Sequence, residues 1–433
     1  MAPPALKYGW YGDDFTGATD TLATLAEQGL RALLFLRMPT LAQLSAARPL
    51  DALGIAGATR AMAPEAMAAE LEAAGRFFAG LRVNILHYKC CSTFDSAPHV
   101  GSIGAAVRAL KPHFPNPLLP IVGGQPNLGR YCLFGNLFAA AGSGGTVYRI
   151  DRHPTMSIHP VTPMAEADLR WHLAAQGLKR VALVDYRSYE TGTADTTLAD
   201  SLASQPDAVL FDVSRAADIA AIGDLVRAQA GAGPMLVVGP SSVAQMFAGS
   251  RGGKSATSAL APSDRREGAT LALVGSLSPV TRAQVEAASG YARIAIDPRR
   301  LLDDCTYAAT LQREALQHLA EGNVMLITDR PTGVLAETGR VATATGLLLR
   351  AIMTEARIAR LVVAGGDTST LAVKSLDIWG LSYRAPFVPG APLCRAHSDD
   401  PRLDGLDIIL KGGQMGPPDV FTKASAARSA PAA

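Results

Sequence analysis

The chain has 433 residues, and 40 Lys and Arg against 38 Asp and Glu leave a formal charge of only +2. This balance argues against a protein that is held on nucleic acid by a basic field. Apolar residues make up 48% of the chain and charged residues 18%, below the roughly 25% typical of soluble domains, which indicates a globular protein with large buried cores.

Membrane-spanning and disulfide-stapled classes are also disfavoured. No apolar run reaches the roughly 18 residues that span a bilayer, and the N-terminus lacks a charged segment followed by an apolar one. The five cysteines include the adjacent pair Cys90 and Cys91, which suits neither a zinc site nor a disulfide. We therefore expect free thiols in a reducing cytoplasm, with neither membrane nor nucleic acid as a partner. A homodimer is left open as the oligomeric state.

Short apolar runs alternate with amphipathic segments through the first half of the chain. Leu6–Tyr11 predicts a strand that leads to the acid pair Asp13-Asp14, and Thr16–Gln28 then has the period of a helix, closed by Gly29. Further strands are predicted at Arg31–Leu36, Asp51–Ala56, Val83–Tyr88, Leu118–Val122, Val147–Ile150, Val181–Val184, Val209–Val213 and Met235–Val238, with a helix at Pro64–Leu81. This βαβ rhythm predicts a mainly parallel sheet with helices on both faces.

A change in composition divides the chain. Residues 249–268 are small and polar without periodicity, so we interpret them as a linker between a first domain, residues 1–248, and a second, residues 269–425. The second domain has predicted strands at Leu271–Val274, Ile294–Ile296, Val324–Thr328, Leu361–Ala364 and Gly405–Leu410, and β-like positions at Phe387 and Leu393. The predicted fold class is α/β: two α/β domains with mainly parallel sheets and an active-site cleft between them.

Several well-known motifs are missing from the sequence. It contains no GxGxxG, no GxSxG and no HExxH. Gly253-Lys254-Ser255 resembles part of a P-loop, but position 248, where the first glycine of that motif belongs, is Ala. The fragment also lies in the linker and not after a strand, so we do not interpret it as a nucleotide site.

Three turns at strand ends of the second domain have the composition of phosphate-binding loops. Glycines let a ligand approach the backbone, and N–H groups at a helix start can hold anionic oxygens. The turns are Gly275-Ser276-Leu277-Ser278, Gly365-Gly366-Asp367-Thr368-Ser369 and Lys411-Gly412-Gly413. Each also has a structural interpretation, as a serine helix cap, a capped βα turn and a surface turn. Three such turns in one domain favour a ligand.

The first domain offers acids and cations. Asp13 and Asp14 can either cap the following helix or serve as a base and a hydroxyl-binding group. Lys89, Ser92 and Thr93 can bind a carboxylate and hydroxyls, or can form a solvated polar loop.

Arg130 can clamp a carboxylate with two hydrogen bonds, although its local pattern by itself favours a solvated surface arginine. His153 and His159 are too loosely spaced for a metal site, so we expect structural roles for both.

These segments together resemble the four-carbon acid sugar kinase family. Tyr11-Gly12-Asp13-Asp14-Phe15-Thr16-Gly17-Ala18 is similar to its N-terminal signature, and Tyr88-Lys89 with Cys91–Ser96 is similar to a second motif of its 3-oxo-tetronate kinase branch. The three glycine turns resemble its nucleotide motifs. The resemblance runs in order along nearly the whole chain.

The resemblance implies an N-terminal domain that binds a sugar acid and a C-terminal domain that binds ATP with Mg²⁺. It implies phosphorylation of a hydroxyl of a tetronate, 3-oxo-tetronate or related oxo-acid. The implied roles are Asp14 or Asp13 at the attacking hydroxyl, Lys89, Ser92, Thr93 and Arg130 at the substrate, and Ser276, Ser278, Gly365, Gly366, Asp367, Thr368, Ser369, Lys411, Gly412 and Gly413 at the nucleotide.

The sequence departs from many family members at two places. Cys90-Cys91 stands before Ser92-Thr93, and Val122–Pro126 stands where a Pro-Ala-Phe-Pro segment is common. These positions would face the acid, so a branched or longer oxo-acid of the isoapionate type is open beside the tetronates. Two other functions are open on the sequence: a non-catalytic protein that binds sugar acid and nucleotide, and an oxo-acid lyase or isomerase with Lys89 as a Schiff-base amine.

Overall fold

The computed structural model describes residues 8–47, 49–142, 144–159, 161–248, 268–275, 278–328 and 338–426. These residues form two compact units, 8–248 and 268–426. The P-loop fragment and nearly all of the interpreted linker lie outside the described residues. Across the described ranges, no helix has the length and apolar character needed to cross a lipid bilayer. All five cysteines are free thiols.

A parallel sheet forms the centre of the N-terminal unit. The strands of this unit are β1 (Tyr8–Gly12), β2 (Ala32–Phe35), β3 (Ala52–Ala56), β4 (Ile85–Lys89), β5 (Pro120–Gly123), β6 (Arg130–Leu133), β7 (Asn136–Ala140), β8 (Val147–Arg149), β9 (Val181–Val184), β10 (Ala208–Asp212) and β11 (Met235–Gly239). In the order β2-β3-β1-β4-β11-β5-β10-β9, eight of them pair in parallel, as predicted.

Helices connect these strands. They are α1 (Phe15–Glu27), α2 (Leu41–Ala46), α3 (Pro64–Gly80), α4 (Ile103–Leu110), α5 (Leu169–Ala174), α6 (Tyr186–Thr191), α7 (Ala194–Ala203), α8 (Ala216–Ala228) and α9 (Ser242–Ala248). Every residue of β1, β3, β5, β10 and β11 is buried. Burial of whole strands explains why they read as continuous apolar runs in the sequence, because parallel strands are covered on both faces.

One predicted strand was assigned to the wrong sheet. Val147–Ile150 was expected in the parallel sheet, but β8 belongs to a small antiparallel sheet in the order β6-β7-β8. Residues 141–146 separate β7 from β8, and these are too few for the crossover of about a dozen residues that parallel neighbours require. β8 can therefore pair with β7 only in the antiparallel direction.

The C-terminal unit has a second mainly parallel sheet. Its strands are β12 (Ala269–Val274), β13 (Tyr291–Ile296), β14 (Asn323–Thr328), β15 (Ile358–Ala364), β16 (Gly380–Val388), β17 (Ala391–His397) and β18 (Asp407–Lys411). Its helices are α10 (Pro279–Ala287), α11 (Pro298–Asp303), α12 (Tyr307–Glu321), α13 (Thr338–Glu355), α14 (Gly366–Lys374) and α15 (Val420–Ala426). The order is β13-β14-β12-β15-β18-β17-β16, with β17 antiparallel to both of its neighbours.

Both units contain a topological switch point. In the first, the chain leaves β1 toward β2 and leaves β4 toward β5 on the opposite side, although β1 and β4 are neighbours. In the second, β12 leads to β13 and β15 leads to β16 in the same opposed manner. Open α/β sheets bind ligands in the crevice beyond the carboxyl ends of such strand pairs. Each unit therefore has one edge where a ligand is expected.

Candidate active site

The switch point of the N-terminal unit brings Asp13 next to Lys89. Gly12 and Lys89 are register partners on β1 and β4, and the Asp13 N–H donates to the Lys89 carbonyl at 2.9 Å. The Asp13-Asp14 pair and the Lys89 motif, far apart in the sequence, thus follow two hydrogen-bonded strands. The structure brings the predicted acids and the predicted lysine together at one edge.

Arg60 joins the two carboxylates. It follows β3, the other neighbour of β1, and its backbone N–H donates to the Asp13 carbonyl at 3.2 Å. Its guanidinium donates Nη2–H to Asp13 Oδ1 at 2.8 Å, Nε–H to Asp13 Oδ2 at 3.1 Å and Nη1–H to Asp14 Oδ2 at 2.7 Å. The side chains of Asp13 and Asp14 are only 4% and 6% exposed, so this fork neutralises charge that water does not reach.

The two acids have different surroundings. Asp14 is the N-cap of α1, because its Oδ1 accepts the Gly17 N–H at 2.7 Å, so the capping interpretation is correct for this residue. Burial raises the pKa of Asp13 above its ordinary value, and the neighbouring Asp14 charge adds to the rise, whereas Arg60 and Lys89 oppose it. Asp14 thus caps the helix, while Asp13 is the acid of the pair whose pKa burial raises.

Lys89 is buried close to the Asp14 cap. The residue is 3% exposed, and within the described part of the chain its ammonium makes a single hydrogen bond, to the Cys90 carbonyl at 2.7 Å. A Cβ placed on Gly17 would lie 2.7 Å from both Lys89 Nζ and Asp14 Oδ1. Gly17 therefore leaves the space in which the ammonium sits. The alternative of a solvated lysine is wrong.

The loop after β4 is held by short polar contacts. Thr93 Oγ1 donates to Asp95 Oδ1 at 2.6 Å and lies 2.9 Å from the Cys91 sulfur. Burial raises the pKa of the Cys91 thiol to about 11, so this thiol stays protonated at neutral pH. Ser92 and Thr93 are both buried, which excludes the solvated-loop alternative for this segment.

Arg130 is a buried cation. It opens β6, is 6% exposed and directs Nη1–H to the Leu128 carbonyl, while its Nε–H has no partner within the described residues. Burial lowers the pKa of Arg130, and the nearby Cys91 and Asp95 oppose this. The local pattern had favoured a surface arginine, and that interpretation is wrong. A buried guanidinium with an unused donor is suited to an anionic ligand.

Three polar residues of this edge were not predicted individually from the sequence, although Thr16 lies in the N-terminal signature and Gln125 in the Val122–Pro126 segment. Besides Arg60, they are Thr16, whose buried hydroxyl has no hydrogen-bond partner among the described residues, and Gln125, which donates Nε2–H to Asp20 Oδ2 at 3.0 Å. Arg60 and Gln125 follow the predicted strands Asp51–Ala56 and Leu118–Val122. Their position just after a strand was the available signal, because strand ends converge at one edge of a parallel sheet.

The two histidines have structural roles, as expected. His153 Nδ1 accepts the N–H groups of Thr155 and Met156 at 3.1 and 3.2 Å. His159 Nδ1 accepts the Thr162 N–H at 3.1 Å. Over the residues that the structure covers, no group of three or more His, Cys, Asp or Glu side chains could hold a metal ion.

The switch point of the C-terminal unit aligns the three glycine turns. Val274, Ala364 and Lys411 are register partners, and the turns follow them directly. The Gly275 N–H donates to the Ala364 carbonyl at 2.9 Å, and the Gly365 N–H donates to the Lys411 carbonyl at 2.8 Å. Gly365 has φ of +124°, a conformation that favours glycine, and it starts α14.

Not all of the predicted nucleotide residues lie in the described part of the chain. Ser276 lies outside the described residues, as do the side chains of Asp367, Thr368 and Ser369, whose backbone forms the first turn of α14. Ser278 caps α10 by accepting the Thr281 N–H at 3.1 Å and also contacts the Gly413 carbonyl, which joins the first and third turns.

Lys411 is fully buried, so its turn is not an ordinary surface turn. Its ammonium donates to Thr281 Oγ1, the Gly412 carbonyl and the Met415 carbonyl at 3.3, 2.9 and 3.2 Å.

Comparisons with known proteins assign one family domain to each of the two units. A sugar-binding N-terminal domain matches residues 8–247, and a nucleotide-binding C-terminal domain matches residues 271–421. Buried cations and acids at one switch point and glycine turns at the other are consistent with these descriptions. Together they define a kinase that acts on a carbohydrate acid. The chain belongs to the four-carbon acid sugar kinase family, whose members are ATP-dependent kinases of small sugar acids.

Similar proteins cover almost the whole chain. A 3-oxo-isoapionate kinase of Paraburkholderia graminis is 39% identical, over 97% of this chain and 94% of its own length. A 3-oxo-tetronate kinase of Methylobacterium radiotolerans is 29% identical, over 97% of this chain and 99% of its own length. A crystal structure of a Salmonella typhimurium protein superposes with a TM-score of 0.77 at 25% identity, covering 97% of this chain and 98% of that one.

Proposed function

We propose that this chain phosphorylates a hydroxyl of a 3-oxo sugar acid, with 3-oxo-isoapionate as the first candidate substrate. Two buried cations, Lys89 and Arg130, carry the proposal, because neither makes a salt bridge to a carboxylate within the described residues. Burying an unpaired cation costs free energy, so a ligand with a carboxylate would stabilise the two cations at this edge of the sheet. The higher identity to the 3-oxo-isoapionate kinase supports this substrate over a tetronate.

In this proposal the polar groups around the cations bind the rest of the acid. Arg130 offers its unused Nε–H, and Lys89 offers the donors that the Cys90 carbonyl does not take. The buried hydroxyls of Ser92 and Thr93, shortly after Lys89, and of Thr16, shortly after Asp14, can bind the oxo and hydroxyl groups of the substrate. The Cys90-Cys91 departure lies within this loop, which would make it part of the substrate specificity.

We assign the base to Asp13 rather than Asp14. A base must accept the proton of the attacking hydroxyl, and burial already raises the pKa of Asp13 toward that task. Asp14 caps α1 by accepting the Gly17 N–H, whereas both hydrogen bonds to Asp13 come from Arg60, so we assign the orienting role to Asp14. Arg60 would hold both carboxylates in place and limit the rise in the Asp13 pKa.

The nucleotide would bind at the glycine turns of the C-terminal unit. The register partners Val274, Ala364 and Lys411 place Gly275, Gly365 and Gly412 in a row, and such a row fits phosphates because backbone N–H groups can reach them. Mg²⁺ would enter on the nucleotide phosphates, since this ion keeps most of its waters and needs only one or two carboxylates. On the sequence, Asp367 could hold either this ion or a ribose hydroxyl of the nucleotide. When bound, the ion neutralises phosphate charge.

Location and oligomeric state complete the proposal. We infer a cytoplasmic enzyme, because the five cysteines are free thiols and the substrates are small metabolites. A homodimer stays a prediction, as does a cleft between the two domains.

An ADP-release assay over a panel of acids tests the proposed function. The panel holds 3-oxo-isoapionate, 3-oxo-tetronates and the corresponding acids without the 3-oxo group, each with ATP and Mg²⁺. We expect the highest kcat/KM on 3-oxo-isoapionate and ATP hydrolysis near background without acid. ADP binding without turnover on any acid would favour a non-catalytic binding protein. Consumption of an oxo-acid without ATP would favour the lyase alternative.

A further inference from the structure

The last residue of β14 carries a buried hydroxyl without a hydrogen-bond partner among the described residues. This residue, Thr328, is 3% exposed, and the buried atom is Oγ1. Two other buried threonines of the C-terminal unit, Thr281 and Thr345, donate to carbonyls at 2.6 and 2.8 Å. Burying an unpaired hydroxyl costs free energy, and most buried polar groups are paired. Thr328 therefore carries a cost that Thr281 and Thr345 avoid.

Thr328 lies at the edge of the sheet where the glycine turns begin. The strand order is β14-β12-β15-β18, and these four strands are parallel, so their carboxyl ends share one edge. Ile327 and Val274 are register partners on β14 and β12, and the residues that follow them are Thr328 and Gly275. Neighbouring strands are about 4.8 Å apart. Thr328 thus extends the row of turns by one strand.

The side chain of Thr328 is on the same face of the sheet as α14. Met325, on the same strand, packs in a core cluster with Phe421 of α15. Side chains alternate along a strand, so Leu326 and Thr328 point to the opposite face. Helices α12 and α14 contact β14 and β15, and among the described residues they contribute none to that cluster, which places them on this opposite face. The N-terminus of α14, at Gly365, therefore lies at the same edge and on the same face as Thr328.

We propose that Thr328 is a nucleotide-binding residue. Its hydroxyl donates to an oxygen of the nucleotide at the β14 end of the row of glycine turns, and binding gives it the partner that the described chain does not supply. The inference rests on the proposed function, because it takes ATP as the ligand of this edge.

Loss of this hydroxyl should have opposite effects on stability and on binding. Valine has nearly the shape of threonine and no hydroxyl, so Thr328→Val removes the unpaired group and should stabilise the fold. The same change removes a hydrogen bond to the nucleotide and should weaken its binding. A hydroxyl with a purely structural role would lower the stability when it is removed and would leave the affinity for nucleotide unchanged.

The test measures ADP affinity by calorimetry with Mg²⁺, the melting temperature without ADP, and KM for ATP and for the sugar acid. The variants are Thr328→Val, Thr328→Ser and Thr270→Val. Thr270 is the matched control, because it is fully buried and its Oγ1 also has no partner within the described ranges. It lies near the amino end of β12, about 16 Å from Gly275 at roughly 3.3 Å per residue.

We expect Thr328→Val to weaken ADP binding and raise KM for ATP about tenfold, with KM for the acid unchanged and a melting temperature about 2–4 °C higher. Thr328→Ser keeps the hydroxyl and should bind ADP within about twofold of the wild type. Thr270→Val should also raise the melting temperature, but it should not change ADP affinity.

Wild-type ADP affinity in a folded Thr328→Val protein would overturn the proposal, and so would an equal loss of affinity in Thr270→Val. A lower melting temperature of Thr328→Val would also count against it, because the hydroxyl would then already have a partner. If Thr328→Val does not fold, Thr328→Ala decides in the same way. A wild-type protein that binds no ADP would instead overturn the proposed function itself.

Discussion

Arg60 donates to both oxygens of the Asp13 carboxylate, through Nη2 to Oδ1 at 2.8 Å and through Nε to Oδ2 at 3.1 Å. Its remaining terminal nitrogen binds Asp14. Only an arginine can supply three donors in this planar fork, because the lysine ammonium is a single point of charge. One side chain therefore binds two adjacent buried carboxylates, and together with the Lys89 charge it stabilises the acid pair at the end of β1.

Replacement of Arg60 tests this compensation. Arg60→Met leaves two buried carboxylates without their cation, and we expect a stability loss of about 3–5 kcal/mol. Because Arg60 opposes the raised pKa of Asp13, its removal should move that pKa higher still. The acidic limb of the pH profile of kcat/KM should then shift to higher pH. Thermal-shift assays measure the stability loss and pH–rate profiles measure the shift, each in comparison with Arg60→Lys. An unchanged acidic limb in Arg60→Met would separate Asp13 from the base role.

Asparagine at each acid distinguishes the two carboxylates. Asp13→Asn should lower kcat by about 100-fold or more and leave ADP affinity nearly unchanged, since general-base catalysis contributes about that much. Asp14→Asn retains an oxygen that can cap α1, so we expect a smaller loss of kcat and little loss of stability. Steady-state kinetics and ADP calorimetry on both proteins measure this. A larger kcat loss in Asp14→Asn would transfer the base to Asp14.

Much of the parallel sheet was predictable because burial on both faces produces apolar runs. The hairpin of β6 and β7 was not predictable, since its two-residue turn, Phe134-Gly135, has φ values of +51° and +81°. Two-residue turns with positive φ at both positions usually have the sequence Asn-Gly, and phenylalanine at the first position does not predict such a turn. The turn forms because the buried Asp212 carboxylate accepts the N–H groups of Phe134 and Gly135 at 2.6 and 3.0 Å. That tertiary contact is invisible in local sequence.

In the candidate site, too, some residues could be predicted from the local sequence and others depended on tertiary contacts. Asp13, Asp14 and Lys89 could be predicted, because each follows an apolar run and has a chemically informative side chain. Arg60 also follows a predicted strand, but its contact with the acids depends on β3 lying next to β1, and the local sequence does not show this pairing. The burial of Arg130 was likewise hidden, because it arises where β6 packs back against Gln125 through paired backbone hydrogen bonds at 2.9 and 3.2 Å.

Replacement of Arg130 tests the carboxylate site. Arg130→Met removes the buried guanidinium but keeps a similar length, so the sugar acid should lose a charge-assisted hydrogen bond of about 2 kcal/mol. We expect KM for the acid to rise about 30-fold while KM for ATP stays within twofold of the wild type. Arg152→Met is a suitable control, because Arg152 lies in the same unit with a side chain that is 74% exposed. Equal effects of Arg130→Met on both KM values would argue for a structural role instead.

His87 gives the N-terminal unit a defined sensitivity to acid. It lies in the centre of β4, fully buried, with Nδ1 2.8 Å from the Tyr8 hydroxyl and Nε2 2.8 Å from the Gly239 carbonyl. Burial lowers the pKa of His87 from 6.5 to about 3. In the unfolded chain His87 is therefore protonated below pH 6.5, whereas in the folded chain it stays neutral down to about pH 3. The contribution of His87 is fully present above pH 6.5 and is lost as the pH falls toward 3.

The loss should approach about 1.4 kcal/mol per pH unit within that window. The glutamine in His87→Gln cannot titrate. At pH 7.5 the free energy of unfolding of this variant should be lower than that of the wild type. Between pH 6.5 and pH 4.5 it should fall less steeply, with a slope about 1.4 kcal/mol per pH unit smaller than the wild-type slope. Urea unfolding followed by tryptophan fluorescence measures both slopes, because Trp10 lies on the adjacent strand β1. His99→Gln, at an exposed histidine, is the control and should keep the wild-type slope. Parallel slopes for His87→Gln and the wild type would mean that His87 does not carry the acid sensitivity.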